Sequence, residues 1–77
     1  MKSPPLGVEF VARQAAAHRG CTHVEVQGIR TTAQGWYVFL QGTYQGQLHR
    51  FRADIVATSA TTFRLVAFHF IWGENEE

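Results

Sequence analysis

The sequence predicts an α+β fold: one N-terminal helix packed on a four-stranded antiparallel β-meander sheet. Three observations predict it. An alanine-rich segment runs between a proline-marked start and a glycine stop. The hydrophobic period changes to two at Thr22. A Gln45-Gly46 turn then separates two segments whose apolar residues fall into register across it.

The helix is expected over residues 5–19. Ser3-Pro4-Pro5 offers a serine cap with proline in the first turn, and Gly20 is placed as the residue that ends the helix. Glu9 and Arg13 are spaced to pair along its surface, while Gly7 weakens the first turn. Val8, Val11 and Ala15 share one face with Ala12 on its flank, and Phe10 projects away from them. Alanines on that face let the helix lie close to a sheet.

His23-Val24-Glu25-Val26-Gln27 alternates as a half-buried strand with both valines inward. Gly28-Ile29 breaks that parity and predicts a bulge or the strand's end. Residues 30–35 carry turn chemistry, and residues 36–44 form the second strand. Pairing Tyr44 with Gln47 sets Leu40 opposite Phe51, Val38 opposite Ala53 and Trp36 opposite Ile55, all on one face. The other face then holds Gln41 opposite Arg50, Phe39 opposite Arg52 and Tyr37 opposite Asp54. A slip of one residue would mix the two sets.

After a turn at Thr58-Ser59-Ala60-Thr61, the last strand covers residues 62–72. Its even positions are Arg64, Val66, Phe68, Phe70 and Trp72; its odd positions are Phe63, Leu65, Ala67, His69 and Ile71. Both sets are apolar, so alternation does not choose the inner side. Burying Arg64 without a partner is costly, which places the even set outward beside Arg50 and Arg52. A strict two-residue Ser59-Ala60 loop would reverse this and expose Phe63, Leu65 and Ile71 instead.

Composition sets the class. Hydrophobic residues at 45% and aromatics at 13%, with two prolines, describe a folded globule rather than a disordered segment. The length predicts a single domain over residues 1–73, followed by an acidic tail at 74–77. No apolar run reaches the ~18–20 residues of a membrane span, and the first residues show no charged-then-apolar signal pattern. One cysteine excludes an internal disulfide framework and fits a reducing, cytoplasmic compartment. A chain this short buries only about 60% of its unfolded surface, so oligomerisation is the expected source of added stability.

Net charge is +1. With Glu74, Glu76 and Glu77 set aside, seven Lys and Arg stand against Glu9, Glu25 and Asp54. The balance is short of a dedicated nucleic-acid binder, yet the body of the domain is basic.

One helix covers one face of such a sheet. The second face is expected to carry Tyr37, Phe39, Phe68, Phe70 and Trp72 among Arg50, Arg52 and Arg64. Each ring buries ~150–250 Å² when covered, and an ordinary monomer exposes a largest apolar patch of about 300–600 Å². Those eight residues are therefore the candidate binding surface of a non-catalytic module that self-associates, with a homodimer as the first expectation and another protein as a further partner. Single-stranded nucleic acid or an anionic ligand on the same face is the alternative, with bases stacked on rings and phosphate met by arginine. A sheet that closes on itself would hide the rings and remove the surface. Arg52 is expected to stack on Phe39 across the strands and to meet Asp54 or Glu25 of a second chain.

Other chemistry is thinly supported. His18-x-x-Cys21-x-His23 offers zinc-ligand types, but no second pair completes a four-ligand site, so no metal and no cofactor is expected. A helix-capping His18 and a buried free Cys21 account for the motif. A small enzyme using Cys21 with His18 or His23, or His49 or His69 with Asp54 or Glu25, has no spacing in its favour. In outline, helix then four-stranded meander resembles the cystatin-like grip architecture. The Gln-x-Val-x-Gly hairpin of cystatins is absent, so no inhibitory residue carries over.

Overall fold

The computed structural model describes residues 6–71; the Ser3-Pro4-Pro5 start, Trp72 and the acidic stretch 74–77 lie outside them. Helix α1 (Leu6–His18) precedes strands β1 (Thr22–Thr31), β2 (Gly35–Tyr44), β3 (Gln47–Ala57) and β4 (Phe63–Ile71). All neighbours pair antiparallel in the order β1-β2-β3-β4, which is the meander that the sequence predicts. The sheet is open, with β1 and β4 as its two edges.

The helix lies against the sheet through its small residues. Val8, Ala12 and Ala16 are fully buried, whereas Phe10 on the far side is 61% exposed. Gly7 has a packing reason to be in the first turn: a Cβ there would meet the ring of Phe63 at 2.5 Å. At the other end, Gly20 N donates to Ala17 O at 3.0 Å and Cys21 N to Ala16 O at 3.1 Å, a Schellman closure with Gly20 at φ 93°. Arg13 pairs with Glu9 at 3.0 Å and donates to Val24 O at 3.2 Å, tying the helix to β1.

The core lies between the helix and the inner sheet face. Phe51, Leu40, Ile55, Val8 and Val38 are its largest fully buried side chains, each contributing ~1.5–3 kcal/mol by leaving water. The β2–β3 hairpin puts them there. Its turn residues Gln45 and Gly46 have φ of 53° and 81°, the left-handed pair of a type I′ turn. The observed register pairs Tyr44 with Gln47, Leu40 with Phe51, Val38 with Ala53 and Trp36 with Ile55, as expected.

Three register shifts shape the edges, two in β1, at Thr22/Glu25 and Val26/Gly28, and one in β4. In β1 the register shifts between Val26 and Gly28, so Val24 and Val26 face inward before the shift and Ile29 after it. In β4, Ile55 pairs with Leu65 but Asp54 pairs with Ala67, which leaves Val66 as the extra residue. That bulge corrects the single outward set of even residues expected for β4. Phe63 and Leu65 pack on the core before the bulge, and Phe68 packs on it afterwards. The turn segments are also tighter or longer than expected: residues 32–34 join β1 to β2, and residues 58–62 join β3 to β4.

Candidate binding surface

The outer face is set by the hairpin register. Because Leu40, Phe51, Val38 and Ala53 point to the core, their neighbours Tyr37, Phe39 and Gln41 on β2 and Arg50, Arg52 and Asp54 on β3 point away from it. Arg64, opposite Val56, joins them at the start of β4. The extra residue Val66 then brings Ala67, His69 and Ile71 outward, paired with Asp54, Arg52 and Arg50. No element of the described residues lies over this face.

Phe68 and Phe70 are not part of it. Phe68 stacks on the buried Phe51 with centroids 5.2 Å apart and planes at 22°, and Phe70 lies 5.0 Å from the same ring. Both belong to the helix side, and Arg19 holds its guanidinium 5.0 Å over Phe68. Their shift inward and the shift of His69 and Ile71 outward have one cause, the Val66 bulge. Trp72 lies outside the described residues.

A connected group occupies the middle of the outer face. Arg52 donates from Nε to Asp54 Oδ1 at 2.9 Å and from a terminal nitrogen to Oδ2 at 3.3 Å. Its guanidinium sits 4.4 Å above the Tyr37 ring, and His69 Nε2 lies 3.4 Å from Asp54 Oδ2. Arg52 was expected over Phe39, directly opposite, and was expected to find its carboxylate on another chain. Sheet twist instead makes the diagonal neighbour the better stacking partner, and Asp54 two residues on supplies the carboxylate. With its side chains 33% and 21% exposed, the Arg52–Asp54 pair is a partly shielded, two-pronged contact rather than a loose surface ion pair.

Two concavities flank this group. One of about 340 Å³ lies under the 32–34 loop, between Tyr37, Asp54, Val56 and Val66. It is at the low end of ligand-pocket size, and its carboxylate is already engaged by Arg52 and His69. The other, of about 270 Å³, brings Gln27, Phe39, Arg50 and Ile71 together, with an exposed guanidinium beside an aromatic ring.

The remaining candidates are scattered. Cys21 is buried in the core, and that burial pushes its thiol up against a weaker downward pull from Arg19, which is the reverse of what a nucleophile needs. His18 and His23 are exposed on either side of it. No three His, Cys, Asp or Glu side chains of the described residues gather to hold a metal ion. No helix of the described residues is long and apolar enough to cross a membrane. Sequence reasoning missed the Asp54–His69 contact, because a single alternation placed His69 on the other side.

Comparison with protein-family models, with curated proteins and with solved structures gives no match for this chain.

Proposed function

We propose that this chain is a small non-catalytic binding and assembly module that associates with a second copy of itself through the outer face of its sheet. The uncovered outer face carries the reading: Tyr37 and Phe39 are only partly buried there, and Val66 and Leu48 are 56% and 64% exposed. The molecule measures 37 × 26 × 20 Å, so one sheet face offers roughly the ~800 Å² that each partner gives to an interface of standard size. Charge placement supports a second copy as the occupant. Glu25, Gln41 and Arg50 form one cross-strand row, with Glu25 and Arg50 both exposed. A two-fold axis lying between stacked sheets brings Arg50 of each copy to Glu25 of the other.

Sedimentation at micromolar concentration tests this. The native chain is expected to run as a dimer, and Phe39→Glu to weaken that dimer while leaving circular dichroism unchanged. A compact monomer for the native chain sinks the reading.

One observation favours a second reading. The Arg50–Phe39 concavity pairs a cation with a stacking ring, the local chemistry of single-stranded nucleic-acid or anion binding. That reading requires affinity that falls steeply with salt and is lost when Arg50→Ala and Arg52→Ala are combined.

A further inference from the structure

We propose that two copies stack with their two-fold axis running along β2, which sets Arg30 against Asp54 of the second copy, Glu25 against its Arg50, and Arg52 into a gap left by its Gly28. This pairing rests on the self-association proposed above and adds the contacts that fix its geometry.

Gly28 has no role inside its own chain. It lies within β1, opposite Phe39, and its φ is outside the left-handed region, so the backbone there does not require glycine. A Cβ at this position would meet nothing within 4 Å, so packing does not require it either. Glycine weakens a strand, and one forced by neither conformation nor packing marks a place where another chain comes close. The gap it leaves adjoins Phe39 in the middle of the outer face.

The charges around that gap say what comes close. Three cross-strand rows run over the outer face: Arg30-Tyr37-Asp54, Gly28-Phe39-Arg52 and Glu25-Gln41-Arg50. In both flanking rows β1 and β3 carry opposite signs, with β2 between them. Arg30 and Arg50 are exposed and form no ion pair among the described residues. Glu25 has only the Gln27 amide, at 3.4 Å. Rotation about an axis along β2 keeps every row at its own height and exchanges β1 with β3. Each flanking row then meets its opposite charge twice over.

Arg52 selects this axis over the one perpendicular to the strands. Turning about a perpendicular axis through Phe39 also matches the four charges, Arg30 with Glu25 and Arg50 with Asp54. It sets Arg52 over Arg52, however, and Gly28 over Gly28, like charge on like and gap on gap. The axis along β2 sets Arg52 over Gly28 instead. That guanidinium stands 4.4 Å above the Tyr37 ring, projecting toward an opposing sheet about 10 Å away, and the missing side chain supplies its room. Asp54 has room for Arg30 as well. Of the roughly four acceptor sites of a carboxylate, Arg52 takes two and His69 one. The recess of about 340 Å³ beside it, between Tyr37, Val56 and Val66, is open to a second guanidinium.

Two measurements on the full chain test this geometry. Gly28→Val puts a β-branched side chain into the gap, at a position with space for it inside one chain. It is expected to keep native circular dichroism and to raise the dimer dissociation constant by about tenfold or more, through its clash with Arg52. The second measurement is cross-linking in a Cys21→Ala background, with a thiol-reactive linker no longer than the ~10 Å between stacked sheets. Glu25→Cys mixed with Arg50→Cys is expected to cross-link, and Glu25→Cys mixed with Arg30→Cys is not. A native dissociation constant for folded Gly28→Val overturns the proposal. Absence of the first cross-link overturns it too, and decides the matter even if Gly28→Val does not fold. Appearance of the second cross-link in its place assigns the perpendicular axis. In each of these cases a dimeric native chain leaves self-association standing, whereas a monomeric native chain removes the assembly and this geometry together.

Discussion

Arg52 and Asp54, two residues apart on β3, join through contacts of 2.9 and 3.3 Å on the outer side of the sheet. Alternate residues of a strand share a face, and a right-handed twist tilts the guanidinium toward its acid and onto Tyr37, 4.4 Å away. An arginine held on one side by a carboxylate and below by a ring is pre-positioned. Little rotamer freedom remains for a partner to remove.

Arg52→Ala is therefore expected to act twice. Removing the guanidinium leaves a partly shielded carboxylate at Asp54 and a bare Tyr37 ring, which lowers folding stability by about 1 kcal/mol. For a domain of this size that is a fall of roughly 4–8 °C in Tm. Thermal unfolding of Arg52→Ala beside the native chain checks the size of the loss, and sedimentation of the same samples reads any added loss of assembly.

Arg50 and Glu25 make a charge-exchange experiment available. If the outer faces of two copies meet, Arg50→Glu is expected to weaken the dimer by about tenfold or more through like charges facing each other. Combining it with Glu25→Arg restores the opposite pairing and is expected to recover most of that loss. Failure of the double substitution to recover affinity removes the reciprocal contact from the interface.

Gly35→Ala tests the closeness of β2 to β3. Gly35 is buried opposite Val56, and a Cβ there would overlap the carbonyl oxygen of Ile55, a backbone atom with no rotamer to yield. The substitution is expected to cost about 1–3 kcal/mol, a large share of the stability of so small a core. A shift of the urea midpoint with an unchanged slope is the expected signature.

Cys21 gives a pH dependence with a definite sign. Burial holds its thiol above the ordinary value of 9.0, so the folded chain keeps the proton longer than the unfolded one does. Stability from this group is complete below about pH 9 and falls as pH rises through the folded value. The urea midpoint of the native chain is expected to drop more between pH 8 and pH 10 than that of Cys21→Ala. Equal drops would show that the thiol does not titrate differently in the two states.

Much of the architecture was legible because several local signals agreed. The Gln45-Gly46 turn fixed one pairing, and that pairing put Leu40, Val38 and Trp36 against Phe51, Ala53 and Ile55 without a polar intruder. Gly28-Ile29 announced the β1 bulge by breaking a clean alternation, and Gly20 marked the helix end. β4 gave no such sign. Leu65, Val66 and Ala67 are all apolar, so inserting one extra residue among them leaves the hydrophobic pattern unchanged while reversing every side chain that follows. The candidate surface suffered accordingly: Tyr37, Phe39, Arg50, Arg52 and Arg64 were placed on the correct side, Phe68 and Phe70 were not. The stack of Arg52 on Tyr37 was hidden for a different reason, because sheet twist is a property of three dimensions that pairing alone does not encode.

Val66 works as a phase shifter. Ahead of it β4 writes inside and outside with one alternation, and behind it with the opposite one, so the strand holds two codes separated by a single residue. Pairing Val66 with Asp54 as an ordinary ladder residue would carry Phe68 and Phe70 over to the basic side and drive His69 and Ile71 toward the helix side, without altering any amino acid. Which surface of this protein is aromatic and which is basic thus depends on whether one residue of β4 is counted into the ladder or left out of it.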